Sequence, residues 1–409
     1  DQAVSRGLGD VYKRQVRYIR RKTCQTTRTY RSYTGTTRII YDWTRYMKIY
    51  LKILSFFTPV IALAISFGLT TFILIMIDRD PVETFTLMFD YGTTGKSIVS
   101  ILNRSIPLYI SAVAVAVGFK MGMFNIGVEG QYILGALIAA QVGAVLILPR
   151  PLHVLTIFIV AAVVSGIWAG ISGYLKVKKG VHEVISTIML NYIGAGIVAY
   201  LLANVFFEKD ENNSLKVPQT NYLSESGQLP PLNNILGIED LPNLNSFIVG
   251  AVFVGIFYYW LVWKTSLGFD LRATGLNPVA AKFSGADPNK LIVLAMLISG
   301  GIAGLVGMSN LVGYFHRYTI DFPTGLGFAG ITVALLGRNH PVGMALGALL
   351  ISFLERSSQI LDLNNIPKEI ERIMQGIVIL VVVVSYEVVR RYILTQEVKL
   401  ASRMVDKDE

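Results

Sequence analysis

Long uncharged runs alternate with short polar breaks along most of this chain. Residues 53–77, 151–175, 184–207, 241–263 and 291–316 each run 23 to 26 positions without Asp, Glu, Lys or Arg, and 130–149 adds another 20. A helix needs roughly 20 apolar residues to cross a bilayer, so each run predicts a spanning helix. Residues 373–389 form a further apolar run. A transmembrane barrel would instead show alternating strands of about ten residues. The predicted fold class is therefore all-α, a polytopic membrane protein with about 8–10 transmembrane helices, some short or broken, and an internal duplication.

The breaks carry the functional signal. Phe119 to Gly130 reads FKMGMFNIGVEG and places Lys120 and Glu129 between two apolar stretches. Lipid offers irregular backbone no hydrogen bonds, so a break at membrane depth is buried in protein or lines a cavity. Residues 105–119 give only 15 uncharged positions, about 22 Å as helix against a roughly 30 Å core. Residues 322–337 and 339–354 give 16 each, joined at Arg338. Each region reads as two short helices meeting at a polar corner, FKMGMFN in the first and GRNHPVG in the second; full but tilted crossings work almost as well. AVAVGFKMGMFNIGVEGQYILGALI and TVALLGRNHPVGMALGALLI share an apolar run, a glycine break and a GAL ending. That predicts duplicated halves, an arrangement that places substrate paths between repeats; chance likeness among apolar segments is the competing reading.

Composition fits the pattern: 53% hydrophobic and 16% charged, against about 25% charged in soluble domains. The net charge of +10 is concentrated in residues 1–46, which hold 11 Lys/Arg, 3 Asp/Glu and the sole cysteine, Cys24. No disulfide framework follows. This leader lacks helical or strand period and is expected to be non-native or disordered, with Met47 as the natural start; a basic tail for anionic lipid or nucleic acid is the alternative. The permease-like body then runs 47–400, with a tail at 401–409.

A cytoplasmic start puts 47–52, 176–183, 264–290 and 390–409 inside, with 14 Lys/Arg in 61 residues, against 10 in 86 for the outer segments 78–104, 148–150, 208–240, 317–321 and 355–372. That twofold bias supports the orientation. The outer loop 208–245 holds four prolines and reads as a solvated connector or as a docking rim.

Individual residues have bland and functional readings. Glu129 opens the helix of 130–149, where a carboxylate suits the dipole. Asn125 is placed to cap that helix, and Lys120 to pair with Glu129. Intramembrane charge also marks function, so Glu129 counts among path residues with Asn125 and Gln131. Asn191, Asn310 and Gln375 sit in apolar spans and Asn339 in the second corner. Amides suit hydroxyls and base edges, and equally bridge helices. Gly166/Gly170, Gly300/Gly304 and Gly343/Gly347 predict close helix packing. GTTGKS at 92–97 lacks the leading glycine of a phosphate loop, since Asp90 stands there, and nothing suggests a βαβ context. His153, His182, His316 and His340 are scattered singly, and no metal or catalytic motif appears. In 264–290, Asn277-Pro278 starts a short helix that Gly285 ends. Alone it is too short to be stable, so it rests on something, as an ordinary surface helix or as a peg receiving force.

GFKMGMFNIGVEGQYILGA, GVHEVISTIMLNYI, LRATGLNPVAAKFSG and GFAGITVALLGRNHPVG, in that order, resemble as a set the permease subunits of bacterial ABC importers. The similar branch is the nucleoside and simple-sugar group of the branched-chain amino acid/ribose permease superfamily, over about residues 47–400. The resemblance implies a non-enzymatic subunit that pairs with a second permease, itself or a paralogue. Cytoplasmic ABC ATPases, which hold the ATP and Mg, would drive it, and an extracytoplasmic solute-binding protein or lipoprotein would feed it. It implies no bound cofactor, no nucleic-acid partner, and a place in the cell membrane. The segment matching LRATGLNPVAAKFSG would be the coupling helix, carrying Arg272, Gly275, Asn277, Pro278, Ala280, Ala281 and Gly285. The expected mechanism is alternating access for a small, uncharged, hydroxyl-rich solute. A secondary transporter and a membrane scaffold remain the other classes.

Overall fold

A computed structural model describes Thr58 and residues 60–207, 217–236, 242–364, 366–367 and 369–405. The basic leader lies outside the described residues. Residues 66–383 form one compact unit, which holds the site described below.

The described residues form helices, with a single isolated bridge between Gln219 and Thr319. Eight helices among them are long and apolar enough to cross a membrane. In order, the elements are α1 Val60–Met76, α2 Pro81–Gly92, α3 Gly95–Lys120, α4 Val128–Val145, α5 Arg150–Lys179 and α6 Glu183–Val205. Then come α7 Phe247–Lys264, α8 Ser266–Leu276, α9 Pro278–Phe283, α10 Pro288–Phe315, α11 Leu326–Leu336, α12 Pro341–Ser357 and α13 Glu369–Val405.

The proposed outer segment 78–104 is largely helical. A turn with Asp78 at φ 55° bends the chain by 120° into α2, whose N-terminus Asp80 caps. The first pair follows the full-crossing alternative and not the short-helix reading: α3 begins at Gly95, capped by Thr94, and its 26 residues extend about 39 Å. Lys96 and Arg104 end the uncharged run without ending the helix. Arg104 pairs with Glu355 of α12, and Arg356 donates to the Ser97 hydroxyl at 3.3 Å, so both arginines have partners at one end of the bundle. In the second pair only α11 is short, with 11 residues over about 16 Å, half a bilayer core, while α12 opens a run, Pro341–Leu363, long enough to span.

The glycine pairs pack as expected. A side chain at Gly166 would meet the Leu297 carbonyl at 3.1 Å, one at Gly173 the Val293 Cα at 3.1 Å, and one at Gly300 the Gly166 Cα at 3.1 Å. The two small-residue faces let the α5 and α10 backbones touch, which favours association where lipid supplies no hydrophobic drive.

One end of the bundle is basic. α3 ends at Lys120, α5 at Lys176, Lys178 and Lys179, and α7 at Lys264. Cations suit helix C-termini. Lys176 meets the buried Glu183 at 2.6 Å. At the opposite end, residues 219–229 are bonded to the bundle and are not a solvated connector. Thr220 N–H donates to the Tyr318 carbonyl (2.9 Å), Leu223 N–H to His316 (2.7 Å) and Leu229 N–H to Val312 (2.9 Å). The fully buried His153 ties this segment to α4 and α5 through Ser226 (2.8 Å) and the Gly143 carbonyl (3.0 Å).

Candidate functional site: two helix breaks joined by a carboxylate

The α3–α4 break has two parts. Its first part lies at the basic end, where Gly122 adopts φ 73°, a left-handed conformation that glycine tolerates without cost. Its second part turns back into the bundle. Asn125 is 1% exposed; its amide donates to Ser299 Oγ (2.8 Å) and to Gln131 Oε1 (3.1 Å), and its carbonyl accepts from Gln131 Nε2 (2.9 Å) and Gly127 N–H (3.0 Å). Ser299 donates onward to the Ala114 carbonyl of α3 at 2.6 Å. Ala114 lies six residues before the end of α3, about 9 Å along the axis, so this irregular backbone is held inside protein. Asn191 of α6 completes the clamp, accepting from Gly130 N–H (2.8 Å) and donating to the Ile126 carbonyl (2.9 Å).

Asn125 thus does not cap α4. It closes a turn on Gly127 and crosslinks three helices, while Gly127 holds the cap position without a side-chain bond. Lys120 does not pair with Glu129; its ammonium lies over the Trp263 ring, 5.1 Å from the centroid. Glu129 reaches across to the other break. Its two oxygens accept from Gly325 N–H (2.6 Å) and Gly327 N–H (2.8 Å), and Tyr132 donates to it at 3.0 Å. It therefore caps α11, 196 residues further along, while standing in the first turn of α4. One anion serves two helix N-termini, each of which favours negative charge. The same hydroxyl lies 2.8 Å from the Pro323 carbonyl, so its one proton is shared between the carboxylate and the irregular segment that precedes α11. Tyr318 stacks on Phe322 beside it, centroids 4.5 Å apart.

From this junction α11 runs to the basic end and stops in a tight turn. Arg338 and Asn339 both adopt positive φ, and Tyr258 of α7 donates to the Asn339 carbonyl at 2.9 Å. The Asn339 Oδ1 is buried without a partner.

The 264–290 segment contains more order than expected, because α8 precedes the short helix. Asn277 caps α9 through Val279 N–H (3.0 Å) and Ala280 N–H (3.1 Å), with Pro278 at its first position. Ala281 is buried, and Gly285 ends the turn at φ 94°. Arg272 donates to the Gly268 carbonyl at 3.3 Å. Gly275 touches the first break directly: a side chain there would lie 2.8 Å from the Met121 carbonyl carbon and 3.0 Å from Gly122 N. Met121 and Met123 pack with Leu271, Leu291 and Met296 in one small cluster. Leu276, Val279 and Phe283 project outward, 89%, 65% and 89% exposed, an apolar face that ordinary solvated helices lack.

Asn125, Gln131 and Asn191 gather at one place, with Glu129 next to them. Asn310 is half-buried in α10, and no side-chain hydrogen bond ties it to that cluster. Gln375 bonds Glu371 one turn away on its own helix. Sequence reasoning missed Ser299, Ser165 (which donates to the Gln131 carbonyl at 2.7 Å), Tyr132, Gly325 and Gly327. The glycine-rich LISGG and TGLGFAG segments carried the signal.

Residues 97–383 match the model of the branched-chain amino acid transport system/permease component family. The chain belongs to this permease family. It is 37% identical over 286 residues to the guanosine ABC transporter permease protein NupP of Bacillus subtilis, covering 69% of this chain and 79% of that one. Similarity extends to the glucose ABC transporter permease protein TsgB13 of Haloferax volcanii, 30% over 345 residues, with 83% and 90% covered. The nucleoside ABC transporter permease protein NupB of Lactococcus lactis is 29% identical over 331 residues, with 80% and 90% covered. The permease is a multi-pass protein of the cell membrane and a transport component.

Proposed function

We propose that this permease forms the path of an ATP-driven importer for nucleosides. The observation that carries the substrate class is the 37% identity with a guanosine permease along most of both chains. Identity with a glucose permease makes simple sugars the second reading. Both solutes are neutral and rich in hydroxyls, and the interior offers amides and hydroxyls that match such groups.

In this reading the basic end faces the cytoplasm, as the Lys/Arg bias requires. ABC ATPase subunits bind the ATP and Mg there and dock on the apolar face of Leu276, Val279 and Phe283; this chain binds neither. A second permease completes the membrane part, and an extracytoplasmic binding protein or lipoprotein delivers solute to the opposite end. Arg272, Gly275, Asn277, Pro278, Ala280, Ala281 and Gly285 transmit the ATPase stroke. The contact between Gly275 and Gly122 supports a direct route from α8 to the α3–α4 break. Asn125, Glu129, Gln131, Asn191, Asn310, Asn339 and Gln375 are the proposed path or corner residues.

The test is uptake into proteoliposomes holding the permease with its ATPase, second permease and binding protein. ATP-dependent accumulation of labelled guanosine or uridine, with no accumulation of glucose or ribose, is expected. Accumulation of sugar alone would move the assignment to the second reading.

A further inference from the structure

A groove of about 630 Å³ runs along the outside of the bundle between α3, α7 and α12. Its walls include Ile106, Tyr109, Val252, Ile256 and Ala345, and His340 lies at one end. Val252 and Ile256 are more than half exposed, so the groove opens toward the bilayer. The wall from Ile248 to Tyr259 is about 16 Å long at ~1.5 Å per residue. Ile248 is the second residue of α7 and Tyr259 stands five residues before Lys264, so the groove reaches from the far end of α7 toward the basic end. Apolar walls give a hydroxyl-rich solute no partners, and desolvating its hydroxyls there would go uncompensated.

The end at His340 is cationic. The His340 ring lies 5.8 Å from Trp263, the Lys120 ammonium lies over that same indole, and the like charges of Arg272 and Arg338 act on Lys120. Lys264 and Arg338 are exposed. Asp270 is the sole carboxylate between Phe247 and Ala286. Basic pockets between helices at the cytoplasmic side suit anionic headgroups.

We propose that this groove holds an acyl chain of an anionic phospholipid whose phosphate sits at Lys264, Arg338 and Lys120. The leaflet assignment rests on the orientation given under Proposed function; the binding itself does not. The test is native mass spectrometry of the purified, assembled transporter supplied with equal phosphatidylglycerol and phosphatidylcholine. Wild type is expected to retain phosphatidylglycerol with roughly tenfold or greater preference. Ala345→Phe, which fills the groove, should lose both lipids. The double variant Lys264→Gln/Arg338→Gln should still hold a lipid but without preference. Equal retention by wild type and Ala345→Phe would overturn the proposal, as would absence of a headgroup preference in wild type. Should Ala345→Phe not assemble, wild type is labelled with phosphatidylglycerol bearing a photoreactive acyl chain. Adducts at Val252, Ile256 or Val342 support the site and adducts elsewhere sink it. A photocrosslinker at Val252 that captures a second permease chain in native membranes also sinks it. Because no step reads uptake, a wrong nucleoside assignment would leave this result intact.

Discussion

Glu129 is where residue-scale chemistry weighs most. Hydrogen bonds to charged groups contribute about 1.5–3 kcal/mol each, and this carboxylate accepts from two backbone amides and a phenol. Glu129→Ala is expected to destabilise the permease by about 2–4 kcal/mol, measured as earlier thermal unfolding in detergent. Glu129→Gln keeps the shape, but one of its two terminal atoms is an N–H donor aimed at another N–H. It should assemble with its partners yet lose most uptake; full uptake would remove Glu129 from the working parts. The residue's position in a break was readable from sequence. Its partner was not, because a cap across 196 residues has no local pattern. The same applies to Asn125, whose spacing suggested a cap on its own helix and whose amide instead found Ser299 on α10.

At the scale of elements, the α8–α9 elbow and the α3–α4 break form one contact. Gly275→Ala would push a methyl group into the Lys120–Gly122 backbone, which cannot rotate away, and such overpacking costs about 1–3 kcal/mol. The expected outcome is a complex that still hydrolyses ATP while moving less solute per ATP, read as the ratio of uptake to phosphate release. Asn277→Ala removes the α9 cap, worth about 1 kcal/mol, from a six-residue helix with little intrinsic stability. It should weaken ATPase attachment in pull-down, and Asn277→Asp, an equally good cap, should restore it. The Asn-Pro start and glycine stop of α9 were legible, since caps are local. α2 and the first ten residues of α3 were not. A rule that ends spans at charges fails where Arg104 and Glu355 neutralise each other at a helix end.

For the whole molecule, the class and most of the spans followed from hydropathy, because lipid enforces the pattern along each crossing. What hydropathy hid was the ordering of the segment at 217–236. Three prolines at 218, 230 and 231 and a polar composition look like solvated chain, yet Thr220 and Leu223 are buried against the residues leading into α11. A cysteine pair at Gln219 and Thr319, the bridged positions, should form a disulfide under mild oxidation. Uptake should stop and return on reduction, with ATPase binding unchanged. Uptake that persists through complete crosslinking would show that this segment stays in place during transport.

That stitching has a directional consequence. The backbone bonds holding 220–229 to 312–318 run along the chain that leads to Gly325, and Gly325 is itself gripped by Glu129. Peeling the cover off would tug on the same strand of polypeptide whose far end Glu129 anchors. Under the proposed function, a binding protein that lifted the cover would send tension inward, and the arrival of cargo and the loosening of the inner junction would become a single mechanical event.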